Sequence, residues 1–544
     1  MVVGRILTLA GDAGLSPVEA IAIRDGRILG AGRKAEIEPL IGPRTGRIEL
    51  APDELALPGL TDSHLHLAEA AIAAGHVQLA GAVTLADGLR QIRAAHAAAE
   101  PSAWLTGNGW SADAWGGWPT GLDLERVAPG RPIALWAHDH HALWVIPSAL
   151  ALAEVGAGTP DPPGGAIRRT EDGSPAGVLQ ETATVLVSRH VPAPTVAEYE
   201  AAVPVLCREL VALGVVAVHD PGALRPDPLL IGAHVAYANL AAAGRLAIRV
   251  HASIRAEALD GAIDRGWRSG QPQGGDPASP ARIGWLKLFA DGSLGSGTAR
   301  MLAPFEPVAG SPTAGPADVG IWVTEPAELA ELTRRAAAGG FATQIHGIGD
   351  AAVRAALDAL EPAGHRSLPL RARIEHAQIV DPGDLARFGR LGIVASIQPV
   401  HLRSDADLAR RAWGARAERS SYAWGSLLRA GAILAFGTDA TVEPIDPWPG
   451  IALAVRRHWP GWPAGTLPFS PEETLSLDEA LRGACLGPAL AERSADRGRL
   501  TVGQRADLIV IPAAALASPL GADGALASTR PRLVLIDGRV GFEA

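Results

Sequence analysis

The stretch LPGLTDSHLHLAE, residues 57 to 69, places His64 and His66 one residue apart just after Pro58-Gly59, in a chain with 16 histidines among 544 residues. In a β-strand alternate side chains share a face, so imidazoles at i and i+2 can converge on one point, as metal ligands do. An isolated H-x-H also fits one histidine packed in a core and the other in water. The reading therefore rests on what else the chain brings to the same place.

Seven further apolar runs end in polar residues or a turn. GVVAVHD runs to Asp220, LAIRVHASI to Ile254, and IGWLKLFADGS carries Lys287. FATQIHGIGD carries His346, RARIEHAQ carries His376, GIVASIQP ends at Pro399, and AILAFGTDA carries Asp439. Helical Ala/Leu/Arg-rich segments such as PAELAELTRRAAAGG lie between them. With GLTDSHLH as the first, eight βα units predict an α/β fold of the TIM-barrel type, a (β/α)8 barrel over 59–66 and 211–497, with its active site at the C-terminal strand ends. His64 and His66 then leave strand one, Lys287 strand four, His346 strand five, His376 strand six and Asp439 strand eight. Six candidate ligands meet at one mouth.

Residues 67–210 separate the first two strands and are too long for a loop. They hold six of the 14 tryptophans (Trp104, Trp110, Trp115, Trp118, Trp136, Trp144), which predicts an inserted subdomain with its own core, leaning over the barrel mouth. Both ends of the chain, 1–58 and 498–544, read as short strands with Asp25-Gly26 and Asp537-Gly538 turns, and together predict a small β-sandwich domain.

A net charge of −10 supplies no basic stripe for nucleic acid or anionic lipid. Cys207 and Cys485 are too few for a disulfide framework or a thiolate cluster, so any metal falls to His, Asp, Glu or Lys. The start of the sequence shows no secretory pattern and no apolar run reaches membrane-spanning length, so a cytoplasmic protein with no membrane partner is expected. The expected partner is a small-molecule substrate. A homodimer is the default assembly for a soluble enzyme.

The segments PGLTDSHLHL, DHHALWVIPSAL, GVLQETA, LKLFADGSLGSGTA, QIHGIGD, RIEHAQ and FGTDA together resemble the amidohydrolase superfamily, and within it amidohydrolase family 3, a group of metal-dependent hydrolases that includes N-substituted formamide deformylases. The resemblance spans residues 57 to 440, and the strand-rich termini match the family's split β-sandwich. It implies two divalent metal ions, zinc being the expected one. His64, His66 and Asp439 would hold the first, His346 and His376 the second, and a carboxylated Lys287 would bridge them. Glu181 is a rival bridge.

The implied reaction is hydrolysis of a non-peptide C–N bond (amide, formamide, carbamate or cyclic amide) by metal-activated hydroxide, with Asp439 as general base and then general acid. His141 is the expected catalytic and substrate-binding group for oxyanion charge, with His138, Asp139 and His140 beside it as alternatives. Trp110 and Asp291 are expected at the substrate. His219 and Asp220 are expected behind the ligands, fixing a tautomer, or capping the following helix. Two other readings stay open: a mononuclear metal-dependent deaminase and a non-catalytic barrel scaffold.

Overall fold

The computed structural model describes residues 1–98, 104–222, 231–306, 318–517 and 525–544. Eight strands run parallel in one sheet, labelled here β1 (Leu60–Asp62), β2 (Val215–Asp220), β3 (Arg249–Arg255), β4 (Ala281–Phe289), β5 (Thr343–Gly347), β6 (Arg373–His376), β7 (Val394–Ile397) and β8 (Ile433–Phe436). They pair in chain order, from Leu60 beside Val215 to Val394 beside Ile433. Every residue of β2, β5 and β6 is buried, because helices cover one face and the barrel interior the other. The helix Pro326–Ala338 shows how the connections form: Pro326 opens it, Leu329, Thr333 and Ala336 make its buried stripe, and Gly339-Gly340 follow its end.

Among the described residues no ladder joins β1 to β8; side chain and loop close the barrel instead. The Asp62 carboxylate accepts from the His64 amide at 3.0 Å, the Thr438 amide at 3.1 Å and the Thr438 hydroxyl at 2.6 Å. Main-chain bonds run beside it: Ser63 N–H to the Phe436 carbonyl at 2.8 Å, Asp439 N–H to that of His64 at 2.6 Å, and His66 N–H to that of Ala440 at 2.9 Å. The two segments touch so closely that a Cβ on Gly437 would sit 2.5 Å from the His64 nitrogen. This changes the expectation for the histidine pair. β1 stops at Asp62, whose side chain captures the next turn, so His64 and His66 stand on the loop after the strand rather than at i and i+2 of it.

Both chain ends form one sheet of eight strands, with Leu508–Pro512 pairing to Glu54–Pro58 and Val2–Leu7 to Pro17–Arg24. It is a single curled sheet rather than two stacked ones. Its edge strand Arg27–Gly32 meets the segment before Leu508 through Ile28 N–H to Gln504 O at 2.8 Å and Ala506 N–H to Gly26 O at 2.9 Å. Val2, Ile6, Ile28, Leu508 and Leu533 fill the curl, while Leu55, Leu57, Ile509 and Ile511 pack on the barrel.

The insertion carries a six-stranded mixed sheet between Val77 and Glu181. Trp110 and Trp144 lie in its core, and Trp104, Trp115, Trp118 and Trp136 pack against them. Its separate core is narrower than 67–210, since the helices Leu67–Ala73 and Val196–Ala212 join the barrel's hydrophobic cluster. Among the described residues no helix is long and apolar enough to cross a membrane.

Asp62→Ala strands three buried donors and is expected to cost about 3–5 kcal/mol, read as a lower apparent Tm in a thermal melt. Asp62→Asn, which keeps an acceptor for both amides, is expected to recover most of that loss.

Candidate metal centre

The C-terminal ends of β1, β4, β5, β6 and β8 surround a cavity of about 140 Å³ that contains His64, His66, Lys287, His346, His376 and Asp439. The loop closure described above puts His64 Nε2 at 3.4 Å and His66 Nε2 at 3.5 Å from Asp439 Oδ1. His376 and His346 follow around the barrel: the His64 and His376 ring centres are 5.1 Å apart, and those of His376 and His346 4.5 Å. Asp439 and His376 both hold positive φ, +59° and +68°, a conformation side chains avoid. Strain of this kind persists where the surroundings over-determine the geometry, as at functional sites.

Burial sets the charge states. It lowers His64, His66, His346 and His376 well below the usual imidazole range, with Lys287 adding to the effect, so each ring is neutral near pH 7. Burial likewise lowers the Lys287 ammonium to about 8 against the pull of Glu375 and Asp439, and raises Asp439 to about 8 against the pull of Lys287.

Hydrogen bonds assign the free nitrogen of each ring. His64 Nδ1–H donates to the Glu375 carboxylate. His66 Nδ1–H donates to the Gly222 carbonyl at 2.7 Å, and His376 Nδ1–H to Gln398 Oε1 at 2.9 Å. His346 does the reverse, giving Nε2–H to the Gly292 carbonyl at 3.0 Å. Four lone pairs are therefore left over: Nε2 on three rings and Nδ1 on the fourth. His64 Nε2 is buried with no partner among the described residues. A buried acceptor with nothing to accept, beside a carboxylate and a second imidazole, fits a cation.

A layer of paired charge lies behind these candidate ligands. Arg373, fully buried, binds Glu375, Ser396 Oγ and the Ser63 carbonyl, and donates to His219 Nδ1 at 2.8 Å. His219 thus spends both ring nitrogens on Arg373 and Glu492 and hydrogen-bonds none of the candidate ligand histidines, contrary to expectation. With an arginine on Nδ1 its proton sits on Nε2, which donates to Glu492 at 2.7 Å. That tautomer removes His219 as a ligand, although His219, His251 and Glu492 are close enough together to suggest a metal. Glu375 does the work expected of His219. Asp220 acts one step back, accepting from Gly222 N–H at 2.8 Å and so fixing the carbonyl that orients His66.

Two other expectations change, for Asp291 and Glu181, while Trp110 stands at the cavity as expected. Asp291 is fully buried and outside the cavity wall, because main-chain N–H groups of Ile348, Gly349 and Arg300 occupy both its oxygens at 2.8–3.0 Å. It pins the β4 loop to the β5 loop rather than meeting substrate. Glu181 does not bridge the metal ligands; it accepts from His141 Nδ1 at 2.8 Å and from the Thr298 hydroxyl at 2.5 Å. Trp110 lines the cavity with its ring alone, its N–H being given to the Leu135 carbonyl at 2.8 Å.

His141 lies on the cavity wall, 5.2 Å from His346 between ring centres. Burial would lower it, but Glu181, Asp139 and Asp291 overcome that and raise it to about 9. Asp139 is held by the Ser293 and Ser296 hydroxyls at 2.5 and 2.9 Å, tying the insertion to the β4 loop. His138 faces Glu443 at 3.5 Å, and His140 turns away to Thr441. Glu375, Arg373, Gln398 and His401 were missed in the sequence. Arg373 and Glu375 could have been found, since two opposite charges at i and i+2 of a buried strand must be paired.

A parallel barrel with buried neutral histidines and carboxylate at its C-terminal mouth defines the class of metal-site α/β barrels. The chain belongs to the amidohydrolase family, whose sequence profile matches residues 51–542. It is 32% identical to the protein LONG AFTER FAR-RED 3 of Arabidopsis thaliana, over 93% of this chain and 86% of that one. It is 28% identical to an N-substituted formamide deformylase of Arthrobacter pascens, over 92% and 91%. Among solved structures it resembles an uncharacterized metal-dependent hydrolase of Pyrococcus horikoshii, with a TM-score of 0.74, 26% identity, and coverage of 95% of this chain and 97% of that one.

Glu375→Gln removes the anion that orients His64 and leaves Arg373 with unpaired charge. Metal affinity is expected to fall about 10- to 100-fold, read by competition against a chromogenic chelator.

Proposed function

We propose that the protein is a metal-dependent hydrolase of non-peptide C–N bonds in small molecules, with formamides and related N-acyl amines as first candidates. The observation that carries this is the set of four neutral histidines, each with one ring nitrogen tied to an acceptor and the other left as a lone pair, grouped around Asp439 and Lys287. The relationship to an N-substituted formamide deformylase supports the bond type. Trp110 and Trp118 from the insertion and Phe289 from β4 give the cavity an aromatic lining.

His64, His66 and Asp439 would hold one cation, and His346, His376 and Lys287 a second. Lys287 would serve as its carbamate: a buried lysine with a lowered pKa presents the neutral amine that adds carbon dioxide, turning a cation into an anionic ligand. Divalent metal there would supply Lewis acidity and lower the pKa of a water towards neutrality.

The chain's own groups do the rest. Asp439 Oδ1 faces His64 and His66, and Oδ2, with His401 Nε2 at 3.5 Å, would take the proton of the attacking water on a remaining lone pair and return it to the leaving nitrogen. His141, held protonated by Glu181 through Nδ1, offers its other ring nitrogen to the carbonyl oxygen as negative charge develops. Insertion residues Trp110, Trp118, His138 and His141 line the cavity together with the barrel residues.

The test is metal content of protein purified without added metal or chelator, with a panel of N-formyl and N-acyl amines assayed alongside. About two metals per chain are expected in the wild type, falling in Lys287→Ala. His141→Asn is expected to keep its metal and lose about 10²- to 10³-fold in kcat. One metal in both the wild type and Lys287→Ala would favour a mononuclear deaminase; none after reconstitution would favour a scaffold.

A further inference from the structure

His401 follows β7 at the start of the helix Leu402–Trp413, buried and on the cavity wall. Its Nε2 lies 3.5 Å from Asp439 Oδ2, so by distance alone His376, His401 and Asp439 could share a cation. The other nitrogen of the ring says otherwise. Gln378 Nε2 stands 3.3 Å from His401 Nδ1 and 3.3 Å from Asp405 Oδ2. Asp405 is a carboxylate that also receives the Tyr422 hydroxyl at 2.9 Å and the Ser404 hydroxyl at 3.3 Å. It takes donors, which fixes the amide nitrogen of Gln378, not its oxygen, on this side.

An amide N–H directed at Nδ1 makes that atom an acceptor, so the neutral ring carries its proton on Nε2. The four ligand histidines have the opposite arrangement, each giving one N–H away and keeping a lone pair for the centre. The buried Nε2 of His401 has no hydrogen-bond partner among the described residues and faces the Asp439 oxygen turned away from His64 and His66. We propose that His401 is not a metal ligand but a positioning residue, whose Nε2–H holds Asp439 Oδ2 in place, with Asp405 and Gln378 setting its tautomer. This rests on the reading of Asp439 as metal-bound base given above. Asp439 needs such a hold because its backbone lies at φ +59° and its other oxygen is committed to the ligand side.

The experiment compares His401→Leu, His401→Gln, Gln378→Leu and His376→Leu with the wild type. Metal per chain is measured by inductively coupled plasma mass spectrometry, and kcat and KM are measured with p-nitrophenyl acetate and the formamide panel. His401→Leu is expected to keep the wild-type metal content while His376→Leu loses metal. Its kcat is expected to fall about 10- to 100-fold with KM changed less than about threefold. His401→Gln, which still offers an N–H, is expected to recover part of the rate, and Gln378→Leu to lose rate without losing metal. Metal loss in His401→Leu equal to that in His376→Leu, or an unchanged kcat, would overturn the inference while leaving the proposed function standing. A wild type that binds no metal would overturn both.

Discussion

The Asp62 carboxylate joins the first and last strands of the barrel, and the centre depends on that join. Strands β1 and β8 come from opposite ends of the barrel's sequence and share no ladder among the described residues. Asp62 binds the His64 amide on its own strand exit and the Thr438 amide and hydroxyl on the other. The two bonds to Thr438, with the main-chain bonds of Ser63, His66 and Asp439 beside them, close the barrel and also set the spacing between the H-x-H pair and Asp439. Fold closure and ligand spacing are one constraint, which is why Gly437 must lack a side chain where it meets His64.

Around that join the chemistry is sorted by hydrogen bonding. Burial makes the imidazoles neutral, but a neutral imidazole can be a ligand or a donor, and only the partner of its second nitrogen decides which. Glu375, Gly222, Gln398 and Gly292 leave lone pairs facing the cavity, whereas Gln378 on His401 and Arg373 on His219 leave protons. Removing Glu375 would leave Arg373 buried without its counter-charge, an arrangement far costlier than a surface pair broken in water. This layer therefore holds the candidate ligands and part of the barrel interior together.

The barrel was legible because its strands are short apolar runs ending in rare residue types, and because eight of them occur. The H-x-H pair, Lys287, His346, His376 and Asp439 were legible for the same reason, as polar residues placed where strands of a barrel stop. What could not be read were contacts made across the barrel. Asp291 sits in a glycine-rich loop that looks made for a substrate, yet three main-chain amides claim it. Glu181 has the right chemistry for a bridge, but its strand belongs to the insertion and delivers it to His141. His219 lies near the C-terminal end of a barrel strand, as His346 and His376 do, and only the neighbouring Arg373 shows that its Nδ1 lone pair is already taken. His401, three residues past Gln398, belongs to a turn whose path into the cavity no periodicity announces.

The most direct measurement is a crystal structure of the protein as purified, with anomalous difference maps collected on both sides of the absorption edge of its metal. Peaks are expected between His64, His66 and Asp439 and beside Lys287, His346 and His376, with none between His219, His251 and Glu492. A map empty at the barrel mouth, or a peak at His219 instead, would contradict the assignment of the free ring nitrogens and with it the metal centre.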